Sequence, residues 1–161
     1  MDLLTSDRLI IKNFTKEDFL DVLSLAVNWK SAPGPEFDKW PVDENGCKNF
    51  LEYLCTHENY YSVYFCDKKR IIGLLAINNI DKDKKLDLGH VIHSDFQNND
   101  IDREALKMMV NHIFNTMDVK TITTGNYPNE KQIAPLIDLG FIKSEENDGI
   151  YDMEKINWKN G

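Results

Sequence analysis

The stretch LDLGHVIHSDFQNNDIDREALKMMVNHIF, residues 86–114, decides how the whole chain is read. Its first eight residues have the composition of a strand, and SDFQNND is a polar loop. Leu106, Met109, Val110, Ile113 and Phe114 then fall on one face of an amphipathic helix. In many α/β enzymes a strand, loop and helix in this order hold the phosphates of a nucleotide on backbone N–H groups at the helix start. Such loops usually carry glycine, which lets the backbone approach an anion. Here the loop carries Asn98, Asn99, Asp100 and Asp102, so it reads equally as a well-capped helix start.

Working outward, three strand-like runs precede it. YYSVYF (60–65) and RIIGLLAI (70–77) flank the turn CDKK, and NNIDKDKK leads into LDLGHVIH, an antiparallel meander. Further upstream LTSDRLIIKNF (4–14) reads as one strand. TKEDFLDVLSLAV follows as a helix with Thr15 as N-cap and Asp18 completing a capping box. Phe19, Val22, Leu23 and Ala26 give that helix an apolar face, and Cys47, Phe50, Leu51, Leu54 and Cys55 form the stripe of a second. Downstream, VKTITT is a strand, Glu130 to Leu139 a short helix interrupted by Pro135, and FIKSE with GIYDMEK a hairpin around ENDG. The order is β-α-α-β-β-β-α-β-α-β-β, an α/β (α+β) fold in one domain, 1–161, with helices on both faces of a mixed sheet. The unit from 86 to 124 is expected to be a right-handed crossover between parallel strands. Ligands of such sheets bind at strand carboxyl ends.

Composition narrows the function. The chain has 161 residues, 42% of them hydrophobic, and a net charge of −8. That charge disfavours nucleic acid and anionic membrane and leans towards a cationic partner such as an amine. Lys68–Arg70 and Lys82–Lys85 read as solvated turns among aspartates. No apolar run approaches the length of a membrane span, the N-terminus lacks signal-peptide character, and three cysteines without metal spacing point to reduced thiols in a cytoplasm. No spacing of His, Cys or carboxylates predicts a metal site, and no nucleophile elbow is present.

Four motifs in order resemble the GNAT superfamily of acyl-CoA N-acyltransferases, in its ribosomal-protein N-terminal acetyltransferase-like branch. LLTSDRLIIKNFTKEDFLDVL resembles that branch's opening, and IIGLLAINNID its Ile-Gly strand. LDLGHVIHSDFQNNDIDREALKMM resembles its central element, Glu-Leu-Gly-Tyr-Trp-Ile, a turn, Gln-x-x-Gly-x-Ala, then Glu-Ala-Leu. NEKQIAPLIDLGF resembles its closing helix, without insertion between Asn129 and Gly140. The resemblance implies a GNAT fold, acetyl-CoA as donor and an amine as acceptor, in a monomer or homodimer. It implies that backbone groups near Val91 and Ile92 pair with the pantetheine arm. Amides of Gln97, Asn98, Asn99, Asp100, Ile101 and Asp102 would hold the pyrophosphate, and Asn129 would hydrogen-bond the donor. Trp40 falls where relatives form the acceptor pocket.

The chain also departs from the pattern. Asp100 stands at the first loop glycine and Asp102 at a small residue. A carboxylate within ~5 Å of a phosphate costs about 1–3 kcal/mol at an effective dielectric near 20 to 80. Gln132 replaces a serine near the leaving thiolate, and Leu136 a tyrosine acid used in other branches, leaving solvent to protonate the thiolate. For the base that relieves the amine of its proton, two candidates remain. Asp87 aligns with the family's strand glutamate, and His90, one residue past Gly89, has the better unperturbed pKa of ~6.5. Two functions of different class follow: an N-acetyltransferase working by direct amine attack, or a GNAT-fold pseudoenzyme or ligand-sensing domain that has lost productive acetyl-CoA binding. A protein-interaction module has no feature of its own behind it.

Overall fold

A computed structural model describes residues 3–30, 40–97, 100–125 and 130–159. Its strands are β1 (Leu4–Thr5), β2 (Leu9–Lys12), β3 (Tyr60–Phe65), β4 (Arg70–Ile80), β5 (Lys85–Ile92), β6 (Thr121–Gly125), β7 (Ile142–Lys143) and β8 (Ile150–Glu154). Its helices are α1 (Phe19–Lys30), α2 (Glu44–Thr56), α3 (Ile101–Thr116) and α4 (Glu130–Asp138). The eight strands lie in one mixed sheet in the order β1-β2-β3-β4-β5-β6-β8-β7. The expected order of elements holds, with one correction at the start. The run 4–14 is two short antiparallel strands, Leu4 opposite Ile11 and Thr5 opposite Ile10. Ser6 breaks it: its hydroxyl accepts from the N–H groups of Leu9 (3.0 Å) and Arg8 (3.3 Å). A serine that satisfies neighbouring backbone donors competes with the ladder and makes a turn.

The chain packs as two compact units, Met1–Leu75 with Val91–Phe96 and Ala76–His90 with Gln97–Gly161. In the first, the capping carboxylate of Asp18 accepts from the Thr15 N–H at 2.7 Å. The buried stripe of α1 is Val22, Leu25, Ala26 and Trp29. Phe19 and Leu23, expected on that face, are only half-buried. Residues 71–76 of β4 are buried without alternation, as a strand covered on both faces requires. Gly73 has a steric reason: a Cβ there would lie 2.4 Å from Ile92 Cδ1 and 2.6 Å from the Val91 carbonyl oxygen.

In the second unit α3 buries Ile101, Ala105, Leu106, Met109, Val110, Ile113 and Phe114, the expected face extended by one turn. β5 and β6 run parallel, as the crossover predicts. β8 lies between β6 and β7 and is antiparallel to both. A Cβ on Gly125 would sit 2.2 Å from the Gly149 carbonyl oxygen, so only glycine fits where β6 ends against β8. After β8 the chain is held to α3, because the Trp158 indole N–H donates to Asn111 Oδ1 at 2.6 Å.

Candidate functional site

The parallel pairing of β5 and β6 is short. It covers Lys85 with Thr121, Leu86 with Ile122 and Asp87 with Thr123. β6 continues against β8 through Thr124 and Gly125, and β5 continues to Ile92. Within the second unit, the ladder between the two parallel strands therefore ends at Asp87 and Thr123, while each strand runs on. A strand edge beyond the end of a ladder can receive an extended chain as an added strand, through main-chain groups rather than side chains. This end also lies where ligands of α/β sheets bind.

The two base candidates do not share this site. Along β5, Leu86, Leu88, His90 and Ile92 are buried, while Asp87 is exposed and Gly89 and Val91 are half-buried. A strand of period two thus sends Asp87 and His90 to opposite faces. Asp87 is open to solvent and accepts a long hydrogen bond from Asn78 Nδ2 at 3.4 Å. His90 is 4% exposed. Burial pushes its pKa down to about 3, against a smaller opposing pull from a hydrogen bond to the Gln132 backbone. The ring is neutral near pH 7 and a poor proton acceptor, contrary to the expectation of an unperturbed imidazole.

At the loop, Gln97 is half-buried, and Asn98 and Asn99 lie outside the described residues. Asp100 occupies the N-cap position of α3 in the left-handed region, φ 60° and ψ −4°. It thereby takes the backbone conformation that glycine adopts without strain. Its carbonyl accepts from the Glu104 N–H at 2.9 Å, and its carboxylate makes no cap bond. Asp102 behaves differently. It is 4% exposed, and its Oδ1 accepts from the Arg103 N–H at 2.9 Å. A carboxylate of the chain therefore already occupies one first-turn amide, as helix-start aspartates do. Ile101 between them is a core residue.

On α4, Gln132 and Leu136 are both buried, and Pro135 sits inside the helix as expected. Neither Gln132 nor Leu136 can release a proton usefully. Asn129 lies outside the described residues. Trp40 is half-buried, with its ring 5.3 Å from that of Phe50 on α2, an anchoring contact. Cys47, Cys55 and Cys66 are free thiols. Among the described residues no group of three or more His, Cys, Asp or Glu could hold a metal ion, and no helix is long and apolar enough to cross a membrane. Sequence reasoning missed the end of the β5–β6 ladder and the Asn78 partner of Asp87. The alternation in LDLGHVI was the available signal that Asp87 and His90 diverge.

Residues 8–141 match a family described as acetyltransferase (GNAT) domain. No curated protein matches the chain by sequence. Among solved structures, an acetyltransferase of the GNAT family from Bacillus anthracis superposes with a TM-score of 0.78 at 15% identity, over 96% of this chain and 99% of that one. The ribosomal-protein-S5-alanine acetyltransferase from Vibrio fischeri gives 0.72 at 19% identity, over 99% and 100%. RimL, a ribosomal L7/L12 alpha-N-protein acetyltransferase solved in complex with coenzyme A, gives 0.74 at 15% identity, over 95% and 98%. At such identities the likeness is one of fold, and it establishes the mixed α/β architecture expected from the sequence.

Proposed function

This chain belongs to the acetyltransferase (GNAT) family, and from that premise we propose that it is an N-acetyltransferase using acetyl-CoA to acetylate an amine. The acceptor is a protein N-terminus or a small cationic amine, within the ribosomal-protein N-terminal acetyltransferase-like branch. The end of the β5–β6 ladder at Asp87 and Thr123 carries this reading. An extended pantetheine arm pairs as an added strand with the backbone near Val91 and Ile92. The start of α3, from Gln97 to Asp102, receives the pyrophosphate, where the left-handed backbone of Asp100 keeps the glycine-like turn. Asn129 contributes a further hydrogen bond, and Trp40 borders the acceptor. When bound, acetyl-CoA supplies an activated thioester carbonyl.

The residues of the chain then have limited work. Asp87, exposed on β5, takes the proton of the acceptor amine, directly or through a water, so that the nitrogen attacks as a neutral nucleophile. The new C–N bond replaces the C–S bond, and solvent protonates the thiolate because neither Gln132 nor Leu136 can. His90 takes no part in proton transfer. We read 1–161 as one cytoplasmic domain, monomeric or dimeric, without nucleic-acid or membrane partners; the family match runs through both units.

One observation favours a second reading, a pseudoenzyme or ligand-sensing domain: the Asp102 carboxylate sits on the Arg103 N–H where an incoming phosphate would bind. Calorimetric titration with acetyl-CoA at neutral pH separates the two. Micromolar binding is expected, on the order of −8 kcal/mol. Silence at millimolar donor would sink the acetyltransferase reading.

A further inference from the structure

We infer that Asn28 is a positioning residue that fixes the root of the donor loop, an inference that rests on the function proposed above. Three polar residues of α1, Asp21, Ser24 and Asn28, recur at i, i+3 and i+7 and therefore line one stripe of the helix. Each is bonded outside its own helix. Asp21 Oδ2 accepts from the Ile71 N–H at 2.8 Å, and Ser24 Oγ accepts from the Arg70 guanidinium at 2.9 Å. Asn28 uses both ends of its amide on one residue. Its Nδ2 donates to Ser94 Oγ at 2.6 Å, and its Oδ1 accepts from the Ser94 N–H at 3.0 Å.

Ser94 opens the short 3-10 turn Ser94–Phe96, which leaves β5 and runs straight into Gln97. The turn is held from other sides as well. The His93 N–H donates to the Ile72 carbonyl at 2.7 Å, and the Phe96 ring meets those of Phe65 and His93 and the Arg70 guanidinium. Those contacts fix the turn's buried side, whereas Ser94 is exposed. Asn28 alone in the stripe holds the exposed corner, through an amide that supplies both a donor and an acceptor. Sequence reading gave Asn28 no role, because its partner lies 66 residues away.

The test compares two donors: acetyl-CoA, and S-acetyl-pantetheine, which lacks the nucleotide and its pyrophosphate. Binding is followed by calorimetry and by NMR shifts in the wild type, Asn28→Ala and Asn28→Asp. Asn28→Ala is expected to weaken acetyl-CoA about tenfold, the equivalent of two lost hydrogen bonds, and to leave acetyl-pantetheine unchanged. Asn28→Asp keeps the acceptor for the Ser94 N–H but loses the donor and adds a charge, so its deficit should shrink as salt rises. Equal weakening of both donors would reveal a general structural defect and overturn the positioning role. Wild-type affinity for acetyl-CoA in both variants would overturn it too, while leaving the proposed function standing. If the wild type binds neither donor, both readings fall.

Discussion

The two ends of the candidate donor site are built on different principles. Where β6 ends, geometry leaves no choice of side chain on its β8 side: the missing Cβ of Gly125 makes room for the Gly149 carbonyl. At the start of α3 a non-glycine residue holds a glycine-like backbone, because Asp100 adopts φ 60°. What sets this end apart is charge, with Asp102 placing a buried carboxylate on the first turn. On the function proposed above, the contrast teaches that a glycine-like backbone and a charge hostile to an anion can coexist at one helix start. Form and charge are separable, and substitutions can attack each alone.

The largest effect is expected from sterics. Gly125→Ala should destabilise the protein by about 3 kcal/mol, because the carbonyl it would strike is backbone and cannot rotate away; urea unfolding measures this, and a neutral result would show that β6 has room to shift. Next comes the buried imidazole. His90 is held neutral by a pKa near 3, whereas an unfolded chain protonates it below about 6.5. The unfolded state then binds the extra proton, so stability falls as pH drops from about 6.5 towards 3. Between pH 7 and pH 5 His90 should account for about 2 kcal/mol of that loss. His90→Gln should lose correspondingly less over this interval in parallel denaturant titrations, and an unchanged pH slope would contradict the burial.

On the charge side, Asp100→Gly with Asp102→Ala should tighten acetyl-CoA binding roughly tenfold, about 1.4 kcal/mol, by calorimetry. If affinity does not move, the carboxylates are harmless and charge does not set the two ends of the site apart. Asp87→Asn should lower kcat by roughly 10²-fold or more with little change in donor affinity, once an acceptor is in hand; full turnover would remove Asp87 as base. The smallest shift belongs to Asp100→Gly alone, which should raise stability by about 0.5 kcal/mol through relief of the left-handed backbone.

What could be read from the sequence was what depends on neighbours in the chain. The capping box of Thr15 and Asp18, the α3 stripe from Leu106 to Phe114 and Pro135 inside α4 all follow from spacings of three or four residues. The break at Ser6 was local too, but a hydroxyl that satisfies two amides looks no different in sequence from one on a strand. The end of β5–β6 pairing was not legible, since LDLGHVI continues unbroken past the last pair of the ladder. Nor was the burial of His90: alternation divides the strand into two faces without saying which is covered. In α1, Leu25 and Trp29 shifted the buried stripe away from Phe19 and Leu23, a choice made by packing rather than by period.

The anchoring of Trp158 on Asn111 gives the molecule an internal optical reporter. Trp29, 3% exposed on α1, sits in the unit containing Met1–Leu75, and Trp158 in the one containing Gln97–Gly161. Replacing Trp40 and either of the other two with phenylalanine leaves one emitter in one unit. Coincident loss of the two emissions under denaturant would mean a single cooperative transition, and separated midpoints would mean two.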